Sequence, residues 1–392
     1  MAGKPFHKIL PLGLLFILPP LGIYLFGRSL SPFITPSLLL TQPGEVSFAS
    51  VAFGLMTVLI ALTLSPFVFR VAAYRSITVA SRPDNQPFPW WGWAALLGIL
   101  CGWLLAWTPV PWLTAFQVHT FSMLWFGYIF FINASTFSRT GTCLFTRQRT
   151  MFFMLFPLSA AFWWIFEYLN QFVHNWHYVN LPHLSPVTFF LLTSLSFSTV
   201  LPAVLSTTEW LRSFHRLTAP FKNWHPVPAC TSPMAGWILL TSGSLGLLLV
   251  GIWPAFLFPA LWLSPLFLFL GFSVIRGEQT VCDDLSRGNW LSVVHPALAG
   301  LFCGFWWELW NAGSRVHWEY SIPLVHGFQL FEMPILGYAG YLPFGLECLV
   351  ISEWFLGMRP WNPAPQTDSR LNPRSSEPDH APKGQVSPAH TL

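Results

Sequence analysis

The sequence predicts an all-α polytopic membrane protein of about ten transmembrane helices: two N-terminal helices, then a tandem parallel repeat of four-helix units. Three observations predict it. The chain is 53% hydrophobic and only 9% charged, against roughly 25% charged for soluble domains. Apolar runs close to the ~20 residues needed to cross about 30 Å of hydrocarbon recur along it. Two stretches, one in each unit, are nearly copies: Trp163 to Pro182 reads WWIFEYLNQFVHNWHYVNLP, and Phe305 to Pro323 reads FWWELWNAGSRVHWEYSIP.

The apolar segments fall at 9–27, 47–69, 90–108, 112–133, 151–171, 185–206, 235–252, 254–274, 292–311 and 333–356. Sidedness follows from Lys and Arg, which collect in cytoplasmic loops. Lys4 and Lys8 precede the first segment, and Arg70, Arg75 and Arg82 follow the second. Arg139, Arg147 and Arg149 lie after the fourth, and Arg212, Arg216 and Lys222 after the sixth. Arg276 and Arg287 follow the eighth, and Arg359 the tenth. The intervening loops carry only Arg28 and Arg315. Ten spans with both termini cytoplasmic satisfy this pattern. The expected location is an inner (plasma) membrane of the bacterial type. The first segment has a charged start but no small-x-small cleavage site, so a retained helix is expected instead of a cleaved signal peptide.

The duplication extends beyond the signatures. GWAALLGILCGWLLAWTPVPW from Gly92 lines up with GWILLTSGSLGLLLVGIWPAF from Gly236, and Cys143 falls opposite Cys282. LPAVLSTTEWL from Leu201 resembles LPFGLECLVISEWFL from Leu342 with a three-residue slip. The organisation that results is 1–88, two helices and a basic cytoplasmic loop; 89–233, the first four-helix unit; 234–359, the second; and 360–392, a Pro-rich, charged tail without apolar periodicity, expected to be disordered. Four is even, so both units share one orientation, and a pseudo-two-fold axis runs along the membrane normal.

Each signature places Glu-x-x-Asn at the outer end of its unit's third helix, then Trp-x-Tyr and a proline. Carboxylates and amides in lipid-buried segments are costly and mark functional sites. Glu167, Asn170, Glu308 and Asn311 are the candidate catalytic residues, the glutamates as acid and base. Trp164, Trp176, Tyr178, Trp307, Trp318, Tyr320 and Glu347 are candidate substrate contacts, Glu347 lying well inside the tenth segment. Residues three and four apart share a helix face, so Glu167, Asn170 and His174 are expected on one stripe, continued by His177. The competing structural reading makes Glu and Asn helix-end caps that bond loop backbone, with Trp and Tyr as interfacial anchors. A Glu opposes the macrodipole at a helix C-terminus, which argues against a pure capping role.

Candidate metal ligands are His174, His177, His317 and His326, since His with Glu suits Zn, Fe or Mn. No HExxH or histidine box accompanies them, and no cofactor is named by the sequence. Asp283 and Asp284 resemble half of a diphosphate–magnesium site, but Arg287 stands by to pair with them. Gly300 and Gly304 form a GxxxG suited to helix packing. The net charge of +4 is small and scattered, which excludes a nucleic-acid partner. No Walker, GxSxG or dinucleotide motif is present. The expected partners are the bilayer and a lipid or isoprenoid-like ligand. Three functions compete: an enzyme on such a substrate, a secondary transporter of two parallel units, and a structural subunit.

Overall fold

The computed structural model describes residues 6–33, 44, 46–74, 86–108, 111–182, 184–357 and 359. The expected tail, most of the basic loop after the second apolar segment, and His183 lie outside the described residues. Eleven longer helices are numbered here: α1 (Phe6–Leu25), α2 (Ser50–Ala73), α3 (Trp90–Trp107), α4 (Thr120–Thr140), α5 (Arg149–Asn170) and α6 (Pro186–Phe197). They continue as α7 (Val200–Arg212), α8 (Pro233–Val250), α9 (Pro254–Ile275), α10 (Leu291–Ala312) and α11 (Tyr341–Leu356). Two strands, β1 (Trp176–Val179) and β2 (His317–Tyr320), follow α5 and α10.

Among the described residues, seven helical segments are long and apolar enough to cross a membrane: α2, α3, α5, the α6–α7 pair, α8, α9, and α11 with the 3-10 turn before it. The chain is therefore a multi-pass membrane protein by length and composition. Of the three remaining long helices, α1 is apolar over Ile9–Leu25, while α4 and α10 have 21 and 22 residues and carry more polar groups, Asn133 in one and His295, Glu308 and Asn311 in the other.

Several boundaries differ from expectation for local reasons. The fourth apolar segment was expected from 112, yet α4 starts only at Thr120. The residues before it form short turns tied to the end of α3, where the Gln117 amide donates to the carbonyls of Leu105 and Thr108 (3.2 and 2.8 Å). At the far end Gly141 adopts φ 75°, the left-handed cap that glycine reaches without steric cost. The sixth segment is two helices because Pro202 lacks an N–H and its ring clashes with the carbonyl four residues back. Ser159 bridges the break, donating to Phe197 O (2.6 Å) and accepting from Leu201 N (3.1 Å).

Neighbouring helices pair as α3 with α4, α8 with α9, and α10 with α11, while α7 packs on α4, α5 and α10. The α10–α11 crossing runs on glycine. A Cβ on Gly300 would lie 2.8 Å from Gly345 backbone atoms, and one on Gly304 would enter the Tyr341 ring. Small residues let backbones approach where lipid supplies no hydrophobic drive, so GxxxG packs helices here. Helix α2 differs from the rest in having no buried residue. It is held near its ends, by Phe53 against Phe328 and by Arg70 donating to the carbonyls of Pro220 and Asn223.

At the end of the bundle away from these Arg70 contacts, β1 and β2 pair antiparallel. The register sets Trp176 opposite Tyr320 and Tyr178 opposite Trp318, with His177 facing Glu319. The two signatures are thus joined by backbone, each Trp-x-Tyr laid against the other in reverse.

Candidate functional site

The corner after α5 is built by Asn170. Its Oδ1 accepts from the backbone N–H of Asn175 (2.8 Å) and Trp176 (3.4 Å), and its Nδ2 donates to Trp176 O (2.8 Å). Asn311 repeats this: Oδ1 accepts from Trp318 N (2.8 Å) and Nδ2 donates to Trp318 O (2.7 Å). Each amide pairs with a tryptophan backbone as a neighbouring strand would, satisfying buried groups at a helix end. Both asparagines are buried, and the amide of each is engaged by its loop.

This corner also redirects the histidines. Helix α5 stops at Asn170 and His174 takes φ 51°, so the expected helical stripe Glu167–Asn170–His174–His177 is not formed. His177 lies instead in β1, with Nε2 3.4 Å from Glu319 Oε2, and His317 Nε2 is 3.6 Å from Glu319 Oε1. His326 bonds Gln329 (3.1 Å). Among the described residues, no group of three or more His, Cys, Asp or Glu is placed to hold a metal ion.

The carboxylates are buried and aimed at the strands. Glu167 Oε1 accepts from Tyr178 OH (2.6 Å), Trp163 Nε1 (2.9 Å) and Trp176 Nε1 (3.3 Å), and Trp176 Nε1 is also 3.3 Å from Oε2. Glu308 Oε1 accepts from Tyr341 OH (2.5 Å) and Tyr320 OH (2.7 Å), while Trp318 Nε1 donates to the Tyr320 hydroxyl (2.8 Å). Glu308 Oε2 is buried without a hydrogen-bond partner. Burial pushes the Tyr178 and Tyr320 hydroxyls well above their ordinary range, and the neighbouring carboxylates, Glu167 and Glu308, push the same way. Both phenols therefore keep their protons and remain donors.

Between the two signatures lies a cavity of about 330 Å³. Its walls include Trp163, Trp176, Tyr178, Trp318, Tyr320 and Tyr341, with Trp307 and Trp262 beyond them. The carboxylates stand behind this wall and reach the cavity through the tyrosines and tryptophans that donate to them. Met56 and Ile60 of α2 close one side, and Gly340 lines another with open space where a Cβ would stand.

Of the candidate substrate contacts, Trp176, Tyr178, Trp307, Trp318 and Tyr320 line the cavity. Trp164 turns toward α6, bonding Ser194 (2.9 Å) and stacking on Phe190. Glu347 is buried in α11, away from the cavity wall, and neither of its oxygens has a partner. Asp283 caps its own helical turn through Thr280 N (2.6 Å), and Asp284 pairs with Arg287 (3.1 Å) and Arg359 (2.8 Å). Asp284 is thus taken up by two arginines and Asp283 by its own helical turn.

Among the cavity residues that escaped the sequence reading, three matter most to the site. Trp163 and Asn175 sit inside the quoted signature, and Tyr341 is separated from its carboxylate by 33 positions. A signal existed only for Trp163, which precedes Glu167 by one helical turn. Comparison with known protein families, with curated proteins and with solved structures gives no match to this chain. The site itself therefore carries the functional argument.

Proposed function

We propose that this is a ten-span membrane protein with cytoplasmic termini, two N-terminal helices and two four-helix copies, which binds a lipid-like or isoprenoid-like substrate at the outer junction of the copies and acts on it through Glu308. One observation carries this reading: an apolar, aromatic cavity between the signatures is walled by the donors of both buried carboxylates. Ligand sites have this make-up, apolar lining with a few convergent polar groups, and about 330 Å³ lies at the lower end of their usual range. Tyr320 and Tyr341 touch the cavity and donate to Glu308. A proton leaving a ligand at either phenol reaches the carboxylate through one hydrogen bond, the connection general acid–base catalysis needs. The repeat is supported by the reciprocal β1–β2 register and by the matching Asn170 and Asn311 clamps. Sidedness is supported by the gathering of Arg70, Arg139, Arg147 and Arg359 in contacts at one end of the bundle.

Native mass spectrometry of the detergent-purified protein tests the reading. Wild type is expected to retain one species of lipid mass. Gly340→Phe, which fills the cavity without backbone strain, is expected to lose it. Retention of the same species by Gly340→Phe, or an empty wild type, would sink the proposal. The transporter reading rests on Glu347, a partnerless buried carboxyl of the kind that marks ion pathways. It predicts that Glu347→Gln impairs function more than Glu308→Gln.

A further inference from the structure

Asn175 is 2% exposed, lines the cavity, and has no hydrogen-bond partner at either its Oδ1 or its Nδ2. Leaving a buried amide unpaired costs about 1–3 kcal/mol per group, so such a residue calls for an explanation. Its position is fixed. The backbone N–H donates to Asn170 Oδ1 (2.8 Å) and the carbonyl accepts from Ser321 N (2.7 Å). Several polar groups of the wall are already engaged: Gln117 by the end of α3, Ser196 by Ser122 (2.9 Å), and Tyr178, Tyr320 and Tyr341 by the carboxylates. The position matching Asn175 in the second signature is His317, which lies 3.4 Å from Arg315 O and 3.6 Å from Glu319. The second signature thus has no amide to match it.

Building on the lipid-like ligand above, we propose that Asn175 anchors the polar head of that ligand, and that the head presents a hydrogen-bond donor and an acceptor side by side, as an amide or a protonated carboxylic acid does. A side-chain amide offers one acceptor and two donors. It is satisfied by a head that returns both, while an ester or ether head leaves the Asn175 N–H or C=O unpaired. The apolar chain then lies along Trp262, Phe258, Met56 and Ile60, a predominantly aromatic and aliphatic side of the wall.

The cavity tryptophans provide the readout, because a bromine atom quenches indole fluorescence on contact. Two probes of equal chain length are compared on the full-length protein in detergent: ω-bromododecanamide and methyl ω-bromododecanoate. Wild type is expected to bind the amide about tenfold more tightly than the ester, the factor that one net hydrogen bond supplies. In Asn175→Leu the amide is expected to fall to the level of the ester, with the ester unchanged. Its melting temperature is expected to hold, since no protein group loses a partner. Asn175→Ala repeats the measurement if the leucine variant melts early. Equal amide binding in wild type and both variants, with Gly340→Phe still blocking both probes, overturns the anchor and leaves the lipid site standing. No quenching by either probe in wild type overturns both.

Discussion

The two signature corners share one scaffold and differ in what they do with it. Asn170 and Asn311 hold their tryptophans by the same pair of bonds, within about 0.1 Å of each other for the amide donation. The carboxylates diverge. Glu167 takes donors on both oxygens, from Trp163, Trp176 and Tyr178. Glu308 has both of its tyrosines on Oε1 and nothing on Oε2. The open oxygen traces to the second signature's tryptophan: Trp176 Nε1 reaches Glu167 Oε2 (3.3 Å), whereas Trp318 Nε1 donates to the Tyr320 hydroxyl (2.8 Å). The donors on Oε1 differ by an exchange. When Glu167 is aligned with Glu308, Trp163 corresponds to Gly304, and the space above Gly304 is filled by the ring of Tyr341. Where the first corner spends a tryptophan of its own helix, the second admits a tyrosine from α11. The lesson is that the clamp is structural and common, whereas the donor set is what separates a saturated carboxylate from one with a reactive oxygen.

The comparison breaks most directly at the clamps. Asn170→Ala and Asn311→Ala each strand a buried N–H and C=O, and each is expected to cost about 2–4 kcal/mol. Thermal melting in detergent checks this, and a loss confined to one corner would show that the scaffolds are not equivalent. Next comes the exchange itself. Gly304→Trp alone drives an indole into Tyr341 and is expected to cost about 1–3 kcal/mol from overpacking. Adding Tyr341→Val should recover most of that, and a double-mutant cycle with no coupling would refute the exchange.

The glutamates come third. In Glu167→Gln the NH₂ must face an indole or phenol donor, at a cost of about 1–2 kcal/mol. In Glu308→Gln the NH₂ takes the place of an oxygen that no donor faces, so stability should change by less than about 1 kcal/mol while ligand processing is lost. Stability and turnover measured on both variants decide this, and the reverse ranking would remove Glu308 from its proposed role. The smallest effect concerns pH. Burial holds the His174 imidazole below its ordinary value. As pH falls through about 6.5, the unfolded chain takes up a proton that the folded one refuses, so stability declines toward acid. His174→Asn tolerates the positive φ and should flatten that decline, which melting curves between neutral and mildly acidic pH will register. The second corner has Gly313 and Ser314 in this region, but burial also holds His326 in the loop beyond it below its ordinary value, so the flattening by His174→Asn is expected to be partial.

Much of this was legible before any coordinates. Long apolar runs bounded by arginines located the helices, and the paired Glu-x-x-Asn and Trp-x-Tyr identified the residues that meet. Helical periodicity misled at His174, because Asn170 captures the following backbone and ends the helix within one turn of where the pattern would have carried it. Trp164 was indistinguishable from Trp163 by composition, and only the packing of α6 against α5 decides which faces the cavity. Tyr341 and Asn175 were invisible for a different reason: one acts across a helix crossing, and the other is notable for bonds it does not make.

The reciprocal ribbon also bears on ancestry. Trp176 against Tyr320 and Tyr178 against Trp318 is the arrangement in which a strand meets its own equivalent. A polypeptide carrying a single signature can form the same contact with a second molecule of itself, as an isologous C2 interface. On the proposed duplication, the ribbon corresponds to such a dimer contact carried inside one chain, with Gly304 and Tyr341 the point where the two halves depart from symmetry.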